Sequence, residues 1–307
     1  MAQTASSALS SLVTFDVQQQ ALKNLRVSLV YANRDWSEQG SLMPGTDTAR
    51  FAFMPDMSIA ATPLTEGTTP TAVALTFTNV DVTVAQYGNL VDITDVAKVK
   101  SPLAIIAEAS DRVSRNAQDT IDQITRDAIA TGGTAFYEGG AANRAALASG
   151  NTMKGSDLRK LYFTMRKNKI PQDAQGHYTL ILGAEQGFDL KADTTASSGI
   201  IPTLAYTTPG IVREGEIEAF EGFRIIIAQN PPTFSSTVTV TAGFAFGPVH
   251  GWGVADLQSL NVYHVAAGGD HNDPLAQHEL LGWKIMFGVA VLANNRFYRL
   301  ESATTAL

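Results

Sequence analysis

The sequence predicts an α+β protein, and three observations carry that reading. Residues 101–133 have the apolar spacing of one long helix. Short runs that alternate apolar and polar residues lie on both sides of it and end at Gly, Pro or Asn, as strands do. At 307 residues the chain is long enough to bury a core without staples, and it has no Cys to make any.

Taken in order, residues 15–31 carry Leu22, Leu25, Leu29 and Val30 at spacings that fit a short helix or an arm laid on a neighbour. From residue 46 to 78 the pattern changes to two alternating runs, TARFAFM and TAVALTF, around the Pro/Gly/Thr segment TPLTEGTTP. This predicts a long β-hairpin with a flexible end, and an isolated hairpin is marginal in water, so it needs a surface to lie on. VDVTVAQYGNLVDITD predicts two more strands, ending near Gly88 and Asp95.

The long helix follows. Ser101 is suited to the N-cap, Pro102 to the first helical position, and Gly132 with Gly133 to the stop. Ile106, Ala109, Val113, Ala117, Ile121, Ile124 and Ala128 form its apolar stripe, with Asp111, Arg115, Asp119 and Asp122 off it. The stripe is rich in Ala, which permits close approach but buries little area per residue, so its neighbours must supply bulk. Residues 156–168 predict a second amphipathic helix with Leu158, Leu161, Tyr162 and Met165 inward, ended by Pro171. HYTLILG then predicts a buried strand and EQGFDLKAD a short helix, and residues 194–215 a long loop. IEAFEGFRIIIAQN, STVTVTAGFAFG and LNVYHVAA predict strands, and LGWKIMFGVAVLANNRFYRLES a central strand pair.

Composition narrows the function. Charged residues are only 17%, against about 25% in an ordinary domain, a deficit typical of extensive subunit interfaces. The formal net charge of −7 argues against a surface that grips nucleic acid through its phosphates. The absence of Cys points to folding in a reducing cytoplasm, no apolar run reaches 18 residues, and MAQTASSALSS lacks the regions of a signal peptide.

Catalytic and cofactor signatures are missing. There is no Walker A loop, GxGxxG turn or GxSxG elbow, and His278-Glu279 lacks the second His of a zinc helix, where Gly282 stands. His264, His271 and His278 with Asp270 and Asp273 are spaced for no single helical face, so surface histidines are the preferred reading over a metal site. Glu66, Glu216 and Glu218 read as solvated turn or interface charge rather than acid/base pairs. Phe244, Phe246, Trp252, Trp283, Phe287 and Tyr298 read as core packing rather than a ligand platform. No cofactor and no catalytic residue are expected. The arm, hairpin, long loop and low charge together point to self-association.

TPLTEGTTP at 62–70, AQYGNLVDITD at 85–95, RAAL at 144–147, DLRK at 157–160, GEIEAFEGFRIIIAQN at 215–230 and DPLAQHELLGWKIMFGVAVLANNRFYRLESA at 273–303 resemble, in order and spacing, the tailed-phage major capsid proteins of the Hong Kong 97-type (HK97-like) fold. The family named for the phage N-four coat protein is the nearer resemblance. The first 45 residues match weakly, and the Gly/Ser-rich loop at 194–215 is this chain's own. The resemblance implies an N-terminal arm at 1–45 and an extended loop at 46–80. It further implies a peripheral domain at 81–177 with 273–307, including a spine helix at 102–131, and an axial domain at 178–272.

It also implies a virion protein, assembled in the host cytoplasm into hexamers and pentamers around double-stranded DNA bound without sequence specificity. Scaffold, decoration and portal proteins are further partners; no membrane is one. The alternatives are an encapsulin-like cargo shell and an α+β enzyme with an unrecognised site. Candidate contact residues on the hairpin are Phe51, Phe53, Leu64, Glu66, Leu75 and Phe77. No residue pattern requires the Lys–Asn cross-link known in some relatives, so none is expected. Only some fifteen residues precede the first amphipathic segment, so no maturation cleavage is expected either. Mass spectrometry of protein from filled particles checks this, and a mature N-terminus beyond the first few residues overturns it.

Overall fold

In the computed structural model the described residues are 30–42, 45–54, 57, 61, 63, 64, 66, 67, 69, 71–100, 105–193, 220–249, 251–268, 273 and 275–305. Residues 15–29 of the expected arm, Ser101, Pro102, the 194–215 loop, Glu216, Glu218, Asp270 and His271 lie outside them.

The chain forms β1 (Glu38–Ser41), β2 (Thr48–Phe53), β3 (Thr78–Thr83) and β4 (Ala85–Thr94), then α1 (Asp95–Lys100) and the spine helix α2 (Ile105–Ala130). β5 (Thr134–Tyr137), α3 (Gly155–Lys167), β6 (Tyr178–Gly183) and α4 (Ala184–Ala192) follow. The rest is strand: β7 (Phe223–Ala228), β8 (Thr233–Ser235), β9 (Thr239–Phe246), β10 (Trp252–Val265), β11 (His278–Val291) and β12 (Phe297–Ala303). One sheet has the order β1-β10-β11-β4, a second β5-β12-β9-β6-β7 with β8 on β9, and among the described residues β2 pairs β3 alone.

The spine's 26 residues make a rod of about 39 Å. Its buried face is Ser110, Val113, Ser114, Ala117, Gln118, Ile121, Thr125 and Ile129. This face is turned slightly from the expected stripe, since Ile124 and Ala128 are only half-buried. Small polar residues occupy it because the hydroxyls of Ser114 and Thr125 satisfy themselves on the helix, donating to the carbonyls of Ser110 and Ile121. The neighbours supply the bulk: Tyr31, Phe244, Phe246, Trp252, Trp283, Phe287 and Phe297 join the same core.

Polar contacts fix the rod at three points. At its middle, the Asn116 carbonyl oxygen accepts from Trp283 Nε1 at 3.0 Å and Asn89 Nδ2 at 3.1 Å. One turn and a half further on, a single Asp122 oxygen accepts the backbone N–H groups of Val30, Tyr31 and Ala32 at 3.0, 2.7 and 3.0 Å. Burial pushes the Asp122 carboxyl up, and those three donors only partly offset it. At the end, Arg299 Nη1 donates to the carbonyls of Ala130 and Gly132, both at 2.8 Å, satisfying groups that a helix C-terminus leaves orphaned. Gly133, at φ +81°, turns the chain away.

The six-stranded sheet is covered on both faces, which explains the almost unbroken apolar run of β6. Ile181 and Phe244 face the spine core, while Leu180, Leu182 and Leu300 face Leu158, Leu161 and Met165 of α3. Beside α3, Glu138 is fully buried and, among the described residues, neither of its carboxyl oxygens has a hydrogen-bond partner. Burial first, and the adjoining Asp157 second, push its carboxyl up to about 10. Asp157 itself accepts from Lys160 Nζ at 2.7 Å and from the Gly139 amide at 3.1 Å.

Several expectations are corrected. The hairpin's second strand is Thr78–Thr83, not the TAVALTF run, because Val82 packs under Ala49 while Val73, Leu75 and Phe77 have no strand opposite them among the described residues. The next break falls at Val84 rather than Gly88, which lies inside β4 where Trp283's carbonyl approaches too closely for a Cβ. β11 and β12 do not pair: β11 joins β10 and β4, and β12 joins β9 and β5. Strand pairing joins β10 to β11 and β9 to β12.

Asp122 also departs from its expected place among the charges off the stripe. Asp122→Ala should cost about 2–4 kcal/mol, because three N–H groups lose a charged acceptor. Asp119→Ala, exposed on the far side, should cost no more than about 0.5 kcal/mol. Urea unfolding of the two variants compares them, and equal effects would show that Asp122 does not hold the arm.

Candidate assembly interface

The hairpin is anchored at its base, and the described large apolar residues of its end are exposed. Phe51↔Val80 and Ala49↔Val82 are cross-strand pairs, and Ala49 and Val82 are buried against Ala255 of β10. The Phe51 ring lies on two glycines of its own subunit: a Cβ would stand 2.8 Å from the ring at Gly40 and 3.0 Å at Gly253. Those glycines let the ring sit flat on backbone. Phe53 is covered by the Arg296 guanidinium, 5.5 Å from the ring centroid. Arg50 and Asp81 form an exposed bidentate pair at 2.7 and 2.9 Å across the strands. Their hydrogen bond raises the arginine and holds the Asp81 carboxyl below its usual range.

The six candidate contact residues thus divide. Phe51 and Phe53 are half-buried and already engaged within the chain. Glu66 is exposed, and Leu64, Leu75 and Phe77 are 75%, 54% and 66% exposed, with Met57 and Val73 beside them in the chain at 59% and 62%. Among the described residues these apolar side chains join no core cluster. The sequence did not single out the second apolar surface, on the β4–β11–β10 sheet. There Leu90 and Tyr263 are exposed on a shallow groove floored by Gly88, Gly282 and Trp283 and edged by Gln86 and Lys284. Gly88 and Gly282 let β4 and β11 approach closely beneath it, for a Cβ at either would stand 2.6 or 2.8 Å from a backbone carbonyl of the other strand.

Of the three histidines expected at the surface, His278 is exposed, His264 has its side chain buried, and His271 lies outside the described residues. His264 is buried beside Glu279, at 2.5 Å, and Lys98 of α1 holds the other Glu279 oxygen. His278 pairs with Asp92 at 2.8 Å, half-exposed. These contacts tie α1 to β10, β11 and β4. Among the described residues no group of three or more His, Cys, Asp or Glu is placed to hold a metal. Phe244, Phe246, Trp252, Trp283, Phe287 and Tyr298 are all buried in cores.

Residues 78–299 match the model of a family described as phage capsid protein. No curated protein matches the chain. Among solved structures, the capsid of cyanophage P-SCSP1u is 19% identical with a TM-score of 0.66, covering 88% of each chain. The capsid of Ralstonia phage GP4 is 12% identical with a TM-score of 0.65, over 88% of this chain and 86% of that one. The head structure of Helicobacter pylori bacteriophage KHP40 also shares 12% identity and a TM-score of 0.65, over 87% and 88%. The α+β architecture is that of these phage shells, the Hong Kong 97-type fold.

The glycine seat makes a test of the hairpin's anchoring. Phe51→Ala removes a half-buried ring and should cost about 1–2 kcal/mol. Hydrogen exchange should quicken in Thr48–Phe53 and leave Ile105–Ala130 unchanged; no change in the hairpin would show that the ring does not hold it.

Proposed function

The chain belongs to the phage capsid protein family as a major capsid protein, and from that premise we propose how its subunits close the shell. The hairpin's free end reaches across to a neighbouring subunit and lays Leu64, Val73, Leu75 and Phe77 on apolar surface there. The observation that carries this reading is the contrast between a base pinned by Phe51 and an end whose large apolar side chains are more than half exposed. The Leu90–Tyr263 groove of the neighbour is the receiving surface we assign, since it is open and presents exposed apolar side chains. Repeating this reach around hexamers and pentamers gives a closed icosahedral shell.

The spine with the β1-β10-β11-β4 sheet forms the peripheral unit, and the six-stranded sheet with α3 and α4 the axial one. The shell encloses double-stranded DNA without reading its sequence, and it is assembled in the host cytoplasm. Scaffold, decoration and portal proteins would add to contacts that the subunit first makes with itself. Such a role asks for no catalytic group. The matched family favours a genome shell over a cargo shell.

Because Phe53 and Thr78 face each other in register, residues 54–77 can be replaced by Asn-Gly, a two-residue hairpin turn. The shortened chain should melt as the parent does and yield no shells in negative-stain micrographs. Normal shells from it would remove the reach from the mechanism.

A further inference from the structure

The chain as a whole is acidic, yet residues 154–169 hold six of its 22 Lys and Arg against one acid, Asp157. The helix α3 arranges them. Leu158, Leu161 and Met165 are buried, which fixes the opposite side toward solvent. On that side Arg159, Lys160, Arg166 and Lys167 stand four, three, three and four positions from Phe163, so they surround its ring. Phe163 is 61% exposed.

Two simpler accounts cover only part of this face. Cations in the last turn complement the helix dipole, which accounts for Arg166 and Lys167. It does not account for Lys154, which stands at the N-cap where the dipole opposes a cation, or for Arg159 and Lys160 in the middle. Ion pairing accounts for Arg159 with Glu221 and Lys160 with Asp157. Among the described residues Lys154, Arg166, Lys167 and Lys169 form no ion pair, although Arg166 lies 5.8 Å over the Tyr162 ring.

We infer that the exposed face of α3 is where the subunit touches the phosphate backbone of duplex DNA inside the shell. This rests on reading the chain as a shell subunit. Charge complementarity names the partner: a strip of point charges about 20 Å long matches a polyanion with a charge every 1.7 Å or so of its axis. An acidic wall otherwise repels that polyanion. The exposed ring supplies apolar contact to sugar edges. A contact of a few charges per subunit is weak alone and screened by salt, so it orders the outermost DNA without trapping it.

The test uses the full chain, a fluorescent 30-base-pair duplex and a variant with Lys154, Arg166, Lys167 and Lys169 changed to Gln. Binding is read by anisotropy over a salt series, and folding by thermal melting; a Lys167→Glu chain serves as the second variant should the fourfold one not fold. The fourfold variant should bind at least about tenfold more weakly, with a slope of log affinity against log salt shallower by about three. Unchanged affinity and slope overturn the inference. Retained duplex binding with loss of binding to a polyglutamate peptide also overturns it, by naming an acidic protein as partner. Cryo-electron microscopy of particles separates the two levels: shells with α3 on the outside refute the DNA contact alone, and the absence of shells refutes the shell reading and this with it.

Discussion

A helix whose buried stripe is largely Ser, Ala, Thr and Gln cannot join two sheets by apolar area alone, since each small side chain removes little surface from water. The structure therefore depends on where the spine is fixed rather than on how much it buries. Asn116 sets its height on the four-stranded sheet through Trp283 and Asn89, Asp122 ties it to the incoming arm, and Arg299 closes its C-terminus. Aromatic rings from both sheets then fill the space that the small stripe leaves open. Small residues on the rod and large ones opposite are two halves of one packing solution.

The end fixed by Arg299 belongs to a larger cluster. Glu301, fully buried, takes a bidentate contact from Arg144 at 2.6 and 2.7 Å and another from Arg299 at 2.8 Å. Burial pushes its carboxyl up, but the two guanidiniums outweigh that and hold it below the usual range. Its stabilising effect is accordingly present above the ordinary carboxylate value and lost as pH falls through the depressed one. Arg144 also stacks on Phe234, 3.7 Å from the ring centroid, so Arg144, strands β8 and β12 of one sheet and the spine terminus share one charged knot. A pair this buried sets geometry more than it adds net stability.

What the sequence made legible follows from locality. Helical spacing gave the spine and α3 within a few residues, and alternation gave most strands, because both signals live in neighbouring residues. Pairing is not local. TAVALTF and TNVDVT alternate equally well, and only the burial of Val82 beneath Ala49 decides which one faces Thr48–Phe53. The separation of β11 from β12 has the same origin, since a three-residue helical turn at Asn294–Arg296 sends the chain into the other sheet. Asp122 looked like solvent charge because its partners are backbone amides some ninety residues away, which no side-chain pattern records. The hairpin's apolar end was visible, whereas Phe51 was legible only once Gly40 and Gly253 came beneath it. The cations of α3 were in plain sight, and reading that helix for its inward face alone passed over them.

Glu138 changes how the charge of this corner should be counted. With its carboxyl pushed up to about 10, it keeps its proton at neutral pH, so the formal total of −7 counts one negative charge that the folded subunit does not carry. Glu138 adjoins Asp157, and the charges of Lys160 and Lys154 also act on it. An ionised Glu138 would have set a second negative charge beside Asp157. As a neutral acid it acts instead as an uncharged spacer beneath α3, and the field above the helix is more positive than a tally of the sequence would give.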